Sequence, residues 1–159
     1  MKGFLFSAIG FLFAMAGFGQ EIKSVKMAEL EKMIADSKTP MIINFWATYC
    51  KPCVEEIPYF QGQAKKYEKD GVRLLLVSLD MKSYYPGKVR AFAAQKKFTA
   101  PLIWLNETDA DYFCPRIDPR WSGALPATLF VNNKTGYRKF YEEQLSETKL
   151  LAEIMAIIR

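Results

Sequence analysis

The sequence predicts one α/β domain in which a mixed sheet lies between two layers of helices. Two runs, 41–47 and 72–79, are apolar at most consecutive positions, as in strands that are buried on both faces. The segment between them has the length of a helix and ends at Gly71, so it forms a parallel βαβ unit with the two strands. Further on, two short strand-like runs flank the turn sequence of residues 133–136, which predicts a closing antiparallel hairpin.

Periodicity and turn residues locate the other elements. The predicted strands are 21–26, 41–47, 72–79, 100–105, 127–132 and 137–141, and the predicted helices are 27–36, 50–69, 88–97 and 146–158. Residues 106–123 are rich in Asp, Pro and aromatic side chains, and they are predicted to be irregular. The expected order is therefore β-α-β-α-β-α-β followed by β-β-α.

Composition indicates a folded, soluble domain and excludes several kinds of site. The chain has 159 residues, of which 50% are hydrophobic and 25% charged, and this length predicts a single domain. It contains no histidine, which excludes Ser-His-Asp and Cys-His catalysis and metal sites built on histidine. The net charge is +5, and basic residues alternate with acidic ones without a dense basic stripe. A nucleic-acid partner is therefore not expected.

Residues 1–19 are predicted to be a targeting segment. Lys2 carries the only charge, and residues 3–18 are uncharged and strongly apolar. We expect cleavage after Gly19, which leaves residues 20–159 as one exported domain in the periplasm or on the membrane facing it. An uncleaved membrane anchor is the alternative, although the apolar run is shorter than the about 20 residues that usually span a bilayer.

The motif Cys50-Lys51-Pro52-Cys53 follows the buried strand 41–47 directly and begins the next helix. The first turn of a helix supplies free N–H groups and a partial positive charge, which favour a thiolate. We therefore predict a redox-active pair in which Cys50 is the exposed nucleophile and Cys53 resolves the mixed disulfide.

Two other interpretations of the cysteines stay open. In an exported protein the pair can be a purely structural disulfide. With Cys114, the third cysteine of the chain, the pair could also hold zinc. We expect neither a metal nor a cofactor beyond the Cys50–Cys53 disulfide, and we expect Cys114 to be a buried, inert thiol, with a regulatory or intermolecular disulfide as the alternative.

The segments 45–53 and 125–131 together resemble the thioredoxin superfamily. The first reads Trp-Ala-x-x-Cys-x-Pro-Cys from Trp46, and the second contains the Pro-x-Thr sequence with which that family begins its cis-proline strand. Among its subgroups the chain looks most like the exported TlpA/ResA-type proteins, which carry an extra central segment before the cis-proline, here about 80–123. The resemblance implies a thioredoxin-like three-layer α/β/α fold over essentially the whole exported domain.

The resemblance also implies a function. A member of this subgroup is expected to be an exported thiol–disulfide oxidoreductase that mainly reduces protein disulfides and is itself re-reduced by a membrane electron donor. We expect it to act as a monomer. The alternatives are a disulfide oxidase or isomerase with the same site, and a non-catalytic binding or chaperone module.

Further site residues follow from the same resemblance. Pro126 is expected to form a cis bond with Leu125 and to leave the Leu125 backbone free to pair with a substrate peptide beside Cys50; an ordinary proline at a strand start is the alternative. Thioredoxin has a buried acid in the strand before the motif, whereas this chain has Asn44 there. Proton transfer at Cys53 must therefore use another group.

The flanking residues are assigned as follows. Trp46 is expected to pack beneath the site and Tyr49 to offer an aromatic surface to a partner, unless both are core residues. Lys51 and Pro52 are expected to tune the dithiol, and Lys51 is otherwise a solvated side chain. The candidates for proton handling are Glu55, Glu56 and Asp80, each of which is otherwise a solvated surface residue.

Overall fold

A computed structural model describes residues 21–159, so the predicted targeting segment lies outside the described residues. The strands are β1 (Lys23–Val25), β2 (Met41–Trp46), β3 (Arg73–Ser78), β4 (Leu102–Leu105), β5 (Ala127–Asn132) and β6 (Tyr137–Tyr141). The helices are α1 (Met27–Asp36), α2 (Lys51–Lys66), α3 (Gly87–Gln95), α4 (Ala110–Ile117) and α5 (Glu147–Ile157), with a 3₁₀ turn at Glu68–Asp70. None of these helices within residues 21–159 is long and apolar enough to cross a membrane.

Within the described residues the strands form one mixed sheet, in the order β1-β4-β3-β2-β5-β6. Strands β1, β4, β3 and β2 run parallel, and β5 and β6 are antiparallel to their neighbours. The predicted mixed sheet and closing hairpin are confirmed. Strand β4, which comes from the predicted central segment, lies in the sheet between β1 and β3.

Both faces of the sheet are covered, because side chains of a strand alternate between them. In β2, Ile42 and Trp46 belong to one buried cluster, together with side chains of α2, α3 and α5. Ile43 and Phe45 belong to a second cluster with side chains of α1 and α4. All four are fully buried, and burial of each such side chain contributes about 1.5–3 kcal/mol. The predicted three-layer arrangement is confirmed.

The prediction that residues 106–123 are irregular is wrong, because they contain α4. The Asp109 side chain accepts the Tyr112 N–H at 3.3 Å and caps the helix. Phe113 and Ile117 then bury one side of it in the cluster with α1. Pro115 within the helix removes only one N–H donor, and this packing outweighs that loss.

Because strands β1–β4 are parallel, the sheet has two distinct ends. The Cys50–Cys53 motif follows the last residue of β2 and lies at the end we call the dithiol end. Strands β2 and β3 begin at the opposite end, which we call the far end. A strand of six residues such as β2 separates the two ends by about 20 Å.

Candidate redox site

Cys50 and Cys53 are joined by a disulfide at the N-terminus of α2, with their Cα atoms 5.3 Å apart. Cys50 is the N-cap residue, and the backbone N–H of Cys53 donates to its Sγ at 3.3 Å. Cys50 is 8% exposed, whereas Cys53 is completely buried. Only the Cys50 sulfur can therefore meet a partner molecule, and the helix end that faces it stabilises a negative charge.

The first turn of α2 explains the residues between the cysteines. Pro52 lies where a helix needs no N–H donor, and the Cys50 carbonyl accepts the Val54 N–H at 3.1 Å. Lys51 is 85% exposed and lies 3.5 Å from Glu55. An exposed pair of this kind contributes little to stability, and the high exposure of Lys51 agrees with the alternative of a solvated side chain.

Asp80 holds the loop that leads into the motif. Both its carboxylate oxygens accept the Thr48 N–H at 3.1 Å, and Oδ1 also accepts the Thr48 hydroxyl at 2.5 Å. Oδ2 accepts the Ser78 hydroxyl at 2.8 Å. Asp80 is only 3% exposed, so the alternative of a solvated side chain is wrong for it. Through these hydrogen bonds the Asp80 carboxylate positions the loop that precedes the motif.

Glu56 is a buried acid one helical turn beyond Cys53, on the same side of α2. Its Oε1 accepts from Asn44 Nδ2 at 2.8 Å, and its Oε2 accepts the Leu145 N–H at 3.0 Å. Burial raises the pKa of Glu56 to about 7, although both hydrogen bonds act to lower the pKa. The alternative of a solvated surface residue is wrong for Glu56 and right for Glu55, which is exposed.

Asn44 connects this acid to the cis-proline strand. The same Nδ2 group also donates to Thr128 Oγ1 at 3.0 Å, and Thr128 lies two residues beyond Pro126. Asn44 Oδ1 has no hydrogen-bond partner among the described residues. The strand position that holds an acid in thioredoxin thus supplies an amide here, and the buried carboxyl comes from the helix.

The Leu125–Pro126 bond is cis, as predicted. Leu125 is half-buried against the cluster that contains both cysteines. The loop before it is held by Glu142, whose Oε1 accepts the N–H groups of Ser122 at 3.0 Å and Ala124 at 2.9 Å. Nothing in the sequence points to Glu142, since the residues that it holds precede it by about twenty positions and meet it only in the folded chain.

Two large apolar side chains are exposed close to the motif, beside the charged Lys51 and Glu55. Tyr49 is 66% exposed and Met81 is 59% exposed, and they adjoin the two residues of the Thr48–Asp80 contact. Trp46 is fully buried in the same cluster as the cysteines and meets the Phe98 ring edge-on at 5.2 Å between centroids. Tyr49 is thus no core residue, while Trp46 is.

Cys114 lies on the other side of the sheet. It belongs to the cluster with α1 and α4, whereas Cys50 and Cys53 belong to the opposite one. The three sulfurs therefore do not meet, and the zinc interpretation is wrong. Within residues 21–159 no group of three or more His, Cys, Asp or Glu side chains could hold a metal ion. Burial raises the pKa of Cys114 to about 11.

Comparison with known proteins places this site in a family. Residues 13–136 match the AhpC/TSA family. The chain belongs to this family. It is 38% identical over 119 residues to the thiol-disulfide oxidoreductase ResA of Bacillus subtilis (strain 168), a match that covers 75% of this chain and 61% of that protein. The chain spans a similar share, 62%, of the ResA protein of Geobacillus thermodenitrificans.

Solved structures show the same fold. A thioredoxin-related protein from Neisseria meningitidis serogroup B superposes with a TM-score of 0.64 at 24% identity, over 76% of this chain and 86% of that chain. StoA from Bacillus subtilis superposes with a TM-score of 0.57, also at 24% identity, over 76% and 86% of the two chains. The predicted thioredoxin-like fold is confirmed.

Proposed function

We propose that the protein is a thiol–disulfide oxidoreductase that acts mainly as a reductase of protein disulfides. The observation that carries the proposal is the Cys50–Cys53 disulfide at the start of α2, with the more exposed sulfur at the helix N-cap. The names of the curated relatives support the same chemistry. The dithiol is the only redox group that the proposed reaction needs.

In the proposed reaction the reduced enzyme gives two electrons to a substrate disulfide. The Cys50 thiolate attacks one substrate sulfur, forms a mixed disulfide and expels the other sulfur as a thiolate. Cys53, once deprotonated, attacks Cys50 Sγ and expels the second substrate sulfur. The substrate leaves as a dithiol after taking up two protons, and the enzyme keeps the Cys50–Cys53 disulfide.

Glu56 is the proposed acceptor of the Cys53 proton. It lies one turn along the helix, and its pKa of about 7 means that ionised and neutral forms coexist near neutral pH. Burial holds the carboxyl away from bulk water, and Asn44 and Leu145 fix both its oxygens. Asp80 is a positioning residue in this proposal, because its bonds to Thr48 and Ser78 fix the loop before the motif, whereas Glu56 lies on the same helix as Cys53.

The proposed substrate is an extended segment of another protein. Its backbone would pair with Leu125, which lies against the cluster of the two cysteines, while apolar side chains would contact Tyr49 and Met81. The proposal also takes over from the resemblance an exported location, a monomeric state and re-reduction by a membrane electron donor.

The test combines an activity and a redox titration. We expect the wild type to reduce insulin with a dithiol as electron source, Cys50→Ser to lose that activity, and Cys114→Ser to keep it. Trapping of thiols across redox buffers should give a potential near that of thioredoxin, about −270 mV. A value near −120 mV would indicate an oxidant instead. A pair that does not titrate in this range, in a protein without activity, would show a structural disulfide.

A further inference from the structure

Basic side chains that are dispersed along the sequence gather at the far end of the fold. The basic face consists of Lys38, Lys65, Lys66, Lys69, Arg73, Lys96 and Lys97, all of which are exposed. Glu68 and Asp70 are the acidic side chains within it, and the exposed Glu21 lies at the same end. Asp36, at the end of α1, lies nearby but pairs with Lys32 at 2.7 Å. The face therefore carries a clear positive excess.

Hydrogen bonds hold its three segments together. Gln61 Oε1 accepts the Ala100 N–H at 3.0 Å, which places the end of α3 beside the last turns of α2. The Arg73 N–H donates to the Pro40 carbonyl at 2.9 Å, which brings in the segment around Lys38. Because these contacts are made by backbone groups and a glutamine, the positive charges are not consumed in forming them.

Glu68, one of the two carboxylates within the face, is shared between two cations. Glu68 lies 3.5 Å from both Lys65 and Arg73, so a single negative charge faces two positive ones. These two cations are 82% and 56% exposed. A cavity of about 320 Å³ opens between them over the apolar side chains of Val72 and Leu74. Glu68 also lines this cavity, so its rim carries two positive charges and one negative charge.

The chain enters the domain at this end. Strand β1 is parallel to β4, with Lys23 opposite Ile103, so Glu21 lies towards the start of β4 at the far end. Residues 3–18, which precede it in the chain, are uncharged and apolar. If this segment is kept as an anchor, the alternative to cleavage, it holds the far end at the membrane; without it, the basic face alone would attract anionic lipid.

The dithiol end carries charges of both signs and has no comparable positive excess. Acidic side chains follow the last residues of β4 and β6 and begin α2: Glu55, Glu107, Asp109, Asp111, Glu142 and Glu143. The basic side chains there are Lys26, Lys51, Lys82, Lys88, Arg120 and Lys149. Four of them pair with a carboxylate: Lys26 with Glu107, Lys51 with Glu55, Arg120 with Asp118 and Lys149 with Glu143. An anionic surface would therefore attract the far end and leave the dithiol end free.

We propose that the basic face docks on an anionic lipid surface and turns the Cys50–Cys53 site away from it, about one strand length into the solvent. The phosphate groups of the lipids contact the Lys and Arg side chains of the face. This orientation does not depend on the redox activity, and its test uses no enzyme assay.

The experiment measures binding of the full chain to vesicles. Vesicles of phosphatidylcholine alone are compared with vesicles that contain phosphatidylcholine and phosphatidylglycerol in equal parts, and the ratio of the two partition coefficients removes the contribution of the apolar segment. Lys65→Gln/Lys66→Gln removes two charges from the basic face. Lys82→Gln/Lys88→Gln is the matched control, since in each pair one lysine lies over a tyrosine ring, Lys66 on Tyr67 and Lys88 on Tyr84.

We expect the anionic-to-neutral ratio to fall about 30-fold in the far-end variant and less than about 3-fold in the control. Raising the salt from about 0.01 M to about 1 M, which shortens the Debye length from about 30 Å to about 3 Å, should abolish the ratio in the wild type. The reduced dithiol of bound protein should react with a charged, membrane-impermeant maleimide as fast as in solution.

Three results would overturn the proposal. A wild-type ratio near one would mean that the face does not recognise anionic lipid. Binding of an acidic protein or a nucleic acid that is weakened in the far-end variant alone would then identify a different partner for the face. An equal fall of the anionic-to-neutral ratio in both variants would show that binding depends on the net charge of the protein and not on the basic face. Protection of the dithiol on vesicles would show the opposite orientation.

Discussion

Replacing Glu56 with Gln tests the buried acid directly. Raising the pKa of this carboxyl from 4.5 to about 7 corresponds to about 3 kcal/mol, since one pKa unit is worth about 1.4 kcal/mol. The folded state prefers the neutral form, so between pH 4.5 and about 7 it binds a proton that the unfolded chain has released. The stabilising contribution is therefore complete below pH 4.5 and is lost as the pH rises through about 7.

A glutamine side chain is uncharged at every pH and has nearly the shape of the neutral carboxyl group that it replaces. Its carbonyl oxygen can accept the Leu145 N–H, and its NH₂ group can donate to Asn44 Oδ1, which is unpartnered among the described residues, if the Asn44 amide rotates. We expect the free energy of unfolding of Glu56→Gln, relative to the wild type, to rise by about 3 kcal/mol between pH 4 and pH 8.

The assay is urea unfolding of the oxidised protein at both pH values, followed by tryptophan fluorescence. Glu55→Gln is the matched control, because the neighbouring carboxylate is exposed, and its difference from the wild type should stay within about 0.5 kcal/mol. If the difference for Glu56→Gln does not change with pH, Glu56 titrates like an exposed acid and the reasoning fails. The pH–rate profile of disulfide reduction then separates proton transfer from stability, since loss of its step near pH 7 in Glu56→Gln alone supports the proposed role.

Three more outcomes are expected. Asp80→Ala removes the acceptor of three donors and should lower the free energy of unfolding by about 2–4 kcal/mol, whereas Thr48→Val, which loses one hydroxyl, should cost about 1 kcal/mol in the same urea titration; equal costs would contradict the role of Asp80 in holding the loop before the motif. Tyr49→Ala should raise KM for a protein disulfide several-fold, because Tyr49 is proposed to contact that substrate, and should leave kcat and the reduction of oxidised glutathione unchanged. Met33→Ala is the control, since Met33 is exposed on α1, and a fall in kcat with both substrates would indicate that Tyr49 takes part in the chemistry. In the reduced native protein, iodoacetamide at pH 8 should modify Cys50 rapidly and Cys114 only in urea, because burial raises the pKa of the Cys114 thiol to about 11; a rapid adduct on Cys114, located by peptide mass spectrometry, would show that this thiol is open to solvent.

Much of the site follows from local sequence. Cys50 and Cys53 are close because only two residues, within one helical turn, separate them. The apolar run before them predicts a strand that is buried on both faces, as β2 is. The cis bond before Pro126 was expected from a motif of adjacent residues. The predicted strands and helices match for the same reason, with end positions that differ by a few residues, while α4 was missed because its packing against α1 is not visible in its own sequence.

The sequence by itself determined the class of fold, the dithiol and the absence of histidine chemistry, since each depends on the identity or spacing of neighbouring residues. Only the tertiary structure decided that Glu56 and Asp80 are buried while Glu55 is not, because burial depends on what packs over a side chain. It also decided where charge collects. Basic residues that alternate with acidic ones along the chain meet at the far end because parallel strands all begin there, and that placement leaves Cys50 at the opposite end.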